Sequence, residues 1–285
     1  KYKDLYVLRD VNIDLKSGVY GLLGPAGAGK STLVNILEGN TEQTSGEVYF
    51  DGTDIRKMEH EYRRLLGYMP RKCNLYEGFS VWDFLFCAAI WKKTPPEKIK
   101  KRLIELSEQM NFRNVLKKKL RVCSRGLCQK IYLAAALINN PDVLILDDPA
   151  AGLVSDERLE FLNIVSDVSE GKIVVVASRE VSDIEYLSGE IVLMEKGRLI
   201  RKAQISELTE EISTFVYEIS VQEELIPELK KRYYITQMTK SGDGVRIRLL
   251  SENAPWKYDY SPVIPTLKDV YLYHFQMKEK GWKYA

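Results

Sequence analysis

Residues 19–32 narrow the folding choices of this chain more than any other stretch. Val19-Tyr20-Gly21-Leu22-Leu23 is an apolar run of strand type. Gly24-Pro25-Ala26-Gly27-Ala28-Gly29-Lys30-Ser31-Thr32 follows at once and reads G-x-x-x-x-G-K-S. This is the P-loop pattern, with strand, loop and helix in the order it requires. Its glycines let the backbone curl until successive N–H groups face phosphate oxygens. Lys30 adds a point charge for the terminal phosphates, and Ser31 offers a hydroxyl to Mg²⁺. A helix expected from about Lys30 to Gly39 turns the positive end of its dipole toward the same anion. The expected ligand is a nucleoside triphosphate, with Mg²⁺ beside it.

The 285 residues suffice for one large or two unequal domains, and at 45% hydrophobic and 29% charged they have the balance of a soluble globular protein. A formal net charge of +2, with Lys and Arg scattered among acids, lacks the basic face that a nucleic-acid partner needs. The four cysteines, Cys73, Cys87, Cys123 and Cys128, show no C-x-x-C spacing, and only two histidines are available to share a metal with them. They are expected to be reduced thiols in a cytosolic protein. The most apolar stretch, Trp82 to Trp91, is interrupted by Asp83 and is far shorter than the ~18 residues that span a bilayer. The opening KYKDLYVLRD lacks the apolar run of a signal peptide, so a membrane role is expected to need a partner chain.

Before the P-loop strand, residues 1 to about 18 alternate, which predicts an antiparallel pair. Glu47-Val48-Tyr49-Phe50 is a strand candidate closed by an Asp51-Gly52 turn. From Val81 to about Asn140 the pattern is helical, with Pro95-Pro96 as a break. An amphipathic helix follows over Glu97–Met110, carrying Ile99, Leu103, Leu106 and Met110 on its apolar side. Val143–Leu146 and Ile173–Ala177 are continuous apolar runs, expected as parallel strands covered on both faces. Gly189–Ile200 reads as a hairpin turning at Lys196-Gly197. After about Thr214 the character changes to a strand over Phe215–Val221, a helix over Glu223–Arg232, a hairpin over Ile235–Leu250 and a last helix from Thr266 to about Lys280. The boundary is placed near residue 213.

Val143-Leu144-Ile145-Leu146-Asp147-Asp148 is the apolar strand ending in acids that accompanies a P-loop in many NTPases. Asp147 is placed to order the Mg²⁺ shell and Asp148 to polarise the attacking water. A buried structural carboxylate pair is the alternative, and it would require other partners. Between the two motifs, Cys123-Ser124-Arg125-Gly126-Leu127-Cys128-Gln129-Lys130 resembles the signature of ATP-binding cassette (ABC) transporter ATPases. Tyr68-Met69-Pro70-Arg71 resembles that family's Q-loop, and Val174 to Arg179 with Asp183-Ile184-Glu185 resembles its switch segment. The wording around the P-loop and the tail "PTLKDVYLYHF" are similar to the bacterial branch that powers drug and antimicrobial-peptide exporters.

The resemblance implies an α/β fold: a P-loop NTPase core of ABC type, a mixed sheet with a helical subdomain at about 75–140, followed by a small α+β appendage over 214–285. It implies a head-to-tail dimer in which each ATP lies between the P-loop of one cassette and the signature of the other, docked on membrane-spanning subunits. Ser124 and Gly126 would then face the partner's γ-phosphate, and Tyr2 stands where an aromatic stacks on adenine. A surface or core tyrosine at position 2 remains open, since stacking is not sequence-specific.

Several positions depart from the family pattern. Arg71 replaces a glutamine, and a guanidinium has no acceptor with which to ligate a cation, though it could approach the γ-phosphate. Asp148 replaces a glutamate and falls about 1.5 Å short, a misplacement that can cost ~100-fold. Arg179 replaces a histidine; it can still donate to a phosphate but cannot accept a hydrogen bond or change charge near neutral pH. Val154 replaces an aspartate that ties two cassettes together, and Arg125 replaces a glycine in the signature.

These departures spare nucleotide binding and damage hydrolysis, although drift in a working enzyme would also produce some of them. The expected protein is the ATP-binding subunit of an ABC exporter, a weak ATPase on its own. It would be peripheral on the cytoplasmic face of the membrane and paired with a second, like or unlike, cassette. Two rivals remain open. One is a non-hydrolysing nucleotide sensor that gates a partner, and the other is a soluble cassette acting on ribosomes or DNA, disfavoured by the lack of a second cassette or long coiled coils.

Overall fold

The structure, a computed structural model, describes residues 6–58, 60–71, 78–242 and 244–277. Strand β1 (Gly18–Leu23) runs into the P-loop and α1 (Lys30–Leu37). A short pair, β2 (Tyr49–Phe50) and β3 (Thr53–Asp54), leads through α2 (Ile55–Met58) and α3 (His60–Leu65) into β4 (Leu66–Met69). Next come α4 (Val81–Trp91), α5 (Pro96–Gln109) and α6 (Arg125–Leu137), then β5 (Val143–Asp147), α7 (Ser155–Val168), β6 (Ile173–Ala177), α8 (Val181–Leu187), β7 (Glu190–Glu195) and β8 (Arg198–Gln204). The remainder is α9 (Ile205–Glu211), β9 (Val216–Val221), α10 (Ile226–Arg232), β10 (Tyr234–Ser241), β11 (Gly244–Leu250), β12 (Tyr260–Pro262) and α11 (Leu267–Leu272).

Six strands form the main sheet in the order β4-β5-β6-β1-β7-β8. The pairs β4/β5, β5/β6, β6/β1 and β1/β7 are parallel, with Leu144 opposite Val174 and Tyr20 opposite Val175. The apolar runs of β5 and β6 follow from burial on both faces. Val143, Ile145 and Val175 pack with Leu33 and Val34 of α1. Leu144, Leu146, Val174 and Val176 pack on the other face with α6, α7 and the helical segment. Lys196 and Gly197 both have positive φ, 47° and 81°, the geometry of the tight turn between β7 and β8.

The helical segment has its own capping logic. Ser80 caps α4 in a reciprocal box with Asp83, and Pro96 occupies the first turn of α5, where its missing N–H costs nothing. Ile99, Leu103, Leu106 and Met110 are buried, as the helical period predicts.

Among the described residues the expected antiparallel pair before β1 is not seen: residues 6–17 carry no strand, and the rest of the expected pair lies outside the described residues. Val11, Ile13 and Leu15 do turn toward the core cluster beneath them. Alternation reports which side chains face inward, and it does not by itself supply a hydrogen-bonding partner. The strand candidate at 47–50 shortens likewise to β2.

Two compact units make up the chain, Lys1–Arg201 and Lys202–Ala285. The second unit holds a four-stranded antiparallel sheet, β10-β11-β9-β12, with Ile219, Val245, Ile247 and Leu249 in its core beside Leu229 of α10. There α9 packs on α11, whose N-cap Thr266 forms a capping box with Asp269.

Candidate nucleotide-binding site

The P-loop is fastened at Ala28, to the β7–β8 turn and to its own start. Gly197 N–H donates to the Ala28 carbonyl at 3.1 Å, and Ala28 N–H closes a turn on Pro25 at 3.2 Å. Gly24 is required by packing, since a Cβ there would run into the Met194 carbonyl of β7. Gly29, at φ +100°, is the N-cap of α1 in a conformation that other residues rarely adopt. A Cβ on Gly27 would meet nothing within 4 Å, so the loop's crest faces open space. Ser31 is exposed on the first turn of α1, and Thr32 follows it half-buried.

The ammonium of Lys30 donates to the carbonyls of Gly24 at 2.5 Å and Pro25 at 3.0 Å, within the curl of the loop. Its pKa is lowered, first by burial and then by the Arg179 cation, while Asp147 opposes the shift. Asp147, at the end of β5, has its pKa raised by burial and by Asp148, against the cations Arg71, Arg179 and Lys30. Three positive and two negative groups therefore converge where β5, the P-loop and the end of β6 meet.

Asp148 is buried, with an ion pair on one oxygen and, on the other, a hydroxyl whose single proton it shares with Asp183. Arg71 Nε stands 3.1 Å from its Oδ2, and the Ser178 hydroxyl lies 3.4 Å from its Oδ1. Ser178 also reaches Asp183 at 3.2 Å, which receives a bidentate Arg158 at 2.6 and 2.7 Å. No local pattern announces Ser178 or Arg158, because their roles exist only when α7 and α8 pack side by side. Asp183, part of the switch-like segment, is buried as Arg158's partner.

The signature lies at the start of α6. Ser124 is the N-cap, its hydroxyl oxygen accepting the Leu127 N–H at 3.2 Å, which leaves its O–H proton available to a further acceptor. Gly126 is buried, and a Cβ on it would crowd the Glu157 carboxyl of α7. Arg125 folds onto the loop after β5, with Nε donating to the Ala151 carbonyl at 2.9 Å. Tyr2 and Cys73 lie outside the described residues. Among the described cysteines Cys87, Cys123 and Cys128 are free thiols, and burial raises the pKa of Cys128 to about 11. No helix among the described residues is long and apolar enough to cross a membrane.

A parallel sheet, a P-loop opening a helix, an acidic strand end next to it and a helical insertion between them define a P-loop NTPase of cassette type. The family model "ABC transporter" matches residues 8–151, up to the turn beyond Asp148. The chain is 30% identical over 75% of its length to an uncharacterized ABC transporter ATP-binding protein, YxlF, of Bacillus subtilis, of which it covers 71%. It is 31% identical over 68% of its length to the lantibiotic transport ATP-binding protein SrtF of Streptococcus pyogenes, covering 82%. Several other relatives are covered over 57–67% of their length. The ATP-binding cassette MJ0796, solved as a dimer in a post-hydrolysis state with ADP and Pi, is similar at TM-score 0.63 and 25% identity. That likeness covers 70% of this chain and 91% of the other. The chain belongs to the ABC transporter family and is an ATP-binding subunit of that type, with the ABC ATPase fold. Subunits of this family bind nucleotide, dimerise and work with membrane transport components.

Proposed function

We propose that this chain is the ATP-binding subunit of an exporter, equipped to hold Mg·ATP and poorly equipped to cut it. The observation that carries this reading is the ion pair between Arg71 and Asp148 beside a P-loop that keeps Lys30 and Ser31. In this reading Gly24–Thr32 cradle the phosphates and Lys30 exchanges its loop carbonyls for phosphate oxygens. Ser31 and Asp147 are the residues that would hold Mg²⁺. Mg²⁺ at nucleotide sites is usually held by one or two protein oxygens together with phosphate and water, which a hydroxyl and one carboxylate can supply. Bound there, Mg²⁺ would supply charge neutralisation for phosphoryl transfer.

Asp148 is the candidate base; its Oδ2 is already ion-paired with Arg71, and its Oδ1 shares the single Ser178 proton with Asp183. Arg179 is the second cation for the terminal phosphate, and Tyr2 the candidate adenine platform. Ser124 and Gly126 serve the nucleotide of a second cassette, in a like or unlike dimer. By the sequence boundary residues 1–213 are the cassette, 75–140 its helical subdomain and 214–285 the appendage, whereas by packing the division falls at Arg201/Lys202 and α9 goes with the appendage. The assembly sits beneath membrane-spanning subunits on the cytoplasmic face. The names of relatives such as the lantibiotic transport and linearmycin resistance proteins support the exporter assignment. ATP that stays bound would hold the dimer closed to the extent that it prefers the closed state.

The test is phosphate release by the purified chain, alone and with a partner cassette. Turnover near ~10 per second or above for the isolated chain, abolished by Asp148→Asn, would overturn the proposal, because competent enzymes typically work at about that rate.

A further inference from the structure

The chain turns tightly after its acids. Asp148 takes a left-handed conformation at φ 52°, and its carbonyl accepts the Ala151 N–H at 3.1 Å. A non-glycine residue in that region persists only where its surroundings hold it. Ala151 is in turn gripped from outside: its carbonyl accepts from Arg125 Nε at 2.9 Å. One residue thus holds Asp148 with its N–H and Arg125 with its C=O. The guanidinium also rests against Gly152, at φ +73°, where a Cβ would lie 2.7 Å from Nε and Nη1. Where the loop enters α7, Val154 is 66% exposed and makes no side-chain cap. Two further contacts join α6 to α7, the Lys130–Glu160 ion pair at 2.5 Å and the Glu157 carboxyl against Gly126.

We propose that Arg125 is a positioning residue for Asp148, tying the first turn of α6 to the turn that sets the acid, within a single chain. The substitutions at 125 and 154 are then linked, the loop being anchored by Arg125 where Val154 offers no polar tie. Movement of the first turn of α6 is passed through Ala151 to Asp148. The role of Asp148 is taken from the function proposed above, but the tie itself is independent of it.

Hydrogen exchange of the full chain, read by mass spectrometry, tests the tie directly. Arg125→Ala should speed exchange at the Ala151 and Leu153 amides by about 10-fold, while the amides of Ile131–Leu137 stay protected and report an intact α6. Arg125→Lys, which retains a donor, should fall between Arg125→Ala and the parent. Measured on the chain alone, where every site carries Asp148, Arg125→Ala should lower kcat about 5–10-fold with KM for ATP within about twofold, and no further loss is expected in an Asp148→Asn background. Unchanged exchange at 151–153 in Arg125→Ala overturns the proposal. So does accelerated exchange with kcat unaltered, since the tie would then not reach the acid. Fast turnover by the parent chain would overturn slow hydrolysis and leave the exchange result standing.

Discussion

Replacing Arg71 with glutamine removes the charge that covers Asp148. One carboxylate oxygen is paired with the Arg71 Nε at 3.1 Å, and the other shares the Ser178 hydroxyl, at 3.4 Å, with Asp183. Unit charges about 4 Å apart attract by roughly 4 kcal/mol at an effective dielectric near ~20. The Arg71 side chain is 37% exposed, against 7% for Asp148, so solvent screening reduces this to about 1–2 kcal/mol. A water that is to be polarised by Asp148 must displace that interaction, which corresponds to about 5–30-fold in rate. Glutamine carries no charge and presents an amide oxygen that can face a cation. Arg71→Gln should therefore raise kcat for Mg·ATP hydrolysis about 5–30-fold, with KM within about threefold, measured as phosphate release at saturating Mg·ATP in the presence of a partner cassette. Adding Asp148→Asn to this variant should abolish the gain and tie it to the acid. If Arg71→Gln binds Mg·ATP as the parent does and its kcat is unchanged or lower, the pair does not restrain the acid and the reasoning fails.

Lys30→Ala should weaken Mg·ATP binding by about 10–100-fold, the loss of one charge-assisted contact, as read by calorimetry; equal affinity would remove Lys30 from the site. Glu38, following α1, has its pKa pushed up to about 7, by burial first, with Asp147 adding and an Asn40 hydrogen bond opposing. Its Oε2 is buried with no hydrogen-bond partner among the described residues. Because the folded-state pKa is raised, stability falls as pH climbs from about 4.5 toward about 7. For this half-buried group the fall is about 1–2 kcal/mol after screening. Glu38→Gln should flatten that fall in urea titrations at pH 5 and pH 8, and parallel curves for the two proteins would contradict it. In the second unit, Arg248 bonds buried Asp269 at 2.7 Å. Among the described residues, Arg248→Met leaves that carboxylate with the Thr266 N–H and hydroxyl, each at 2.9 Å. A loss of about 3–5 kcal/mol is expected in chemical denaturation, and a loss under about 1 kcal/mol would show the pair to be dispensable.

Much of the fold was legible because its signals are local. The P-loop, the capping and proline signals of α4 and α5, the two-sided apolar runs of β5 and β6, and the Lys196-Gly197 turn each depend on residues within a few positions of one another. The N-terminal alternation misled because inward-facing Val11, Ile13 and Leu15 need no ladder to be half-buried. Within the site, the acids and the P-loop could be read from order and spacing. The charge that would meet Asp148 could not: Arg71 was equally suited to a phosphate, and only the approach of the end of β4 to the end of β5 placed it on the carboxylate.

That this chain carries a nucleotide-binding P-loop, and that the residues around the phosphates have changed character, can be read along the chain. Those properties reside in side-chain chemistry and short-range backbone geometry. How the changed residues act on one another is a product of packing. Arg71 covers Asp148, Arg125 grips the turn beneath it, and Ser178 joins that acid to Asp183 and Arg158. Such contacts depend on distances between strands and helices set by packing of the whole sheet, and no spacing along the chain encodes them one pair at a time.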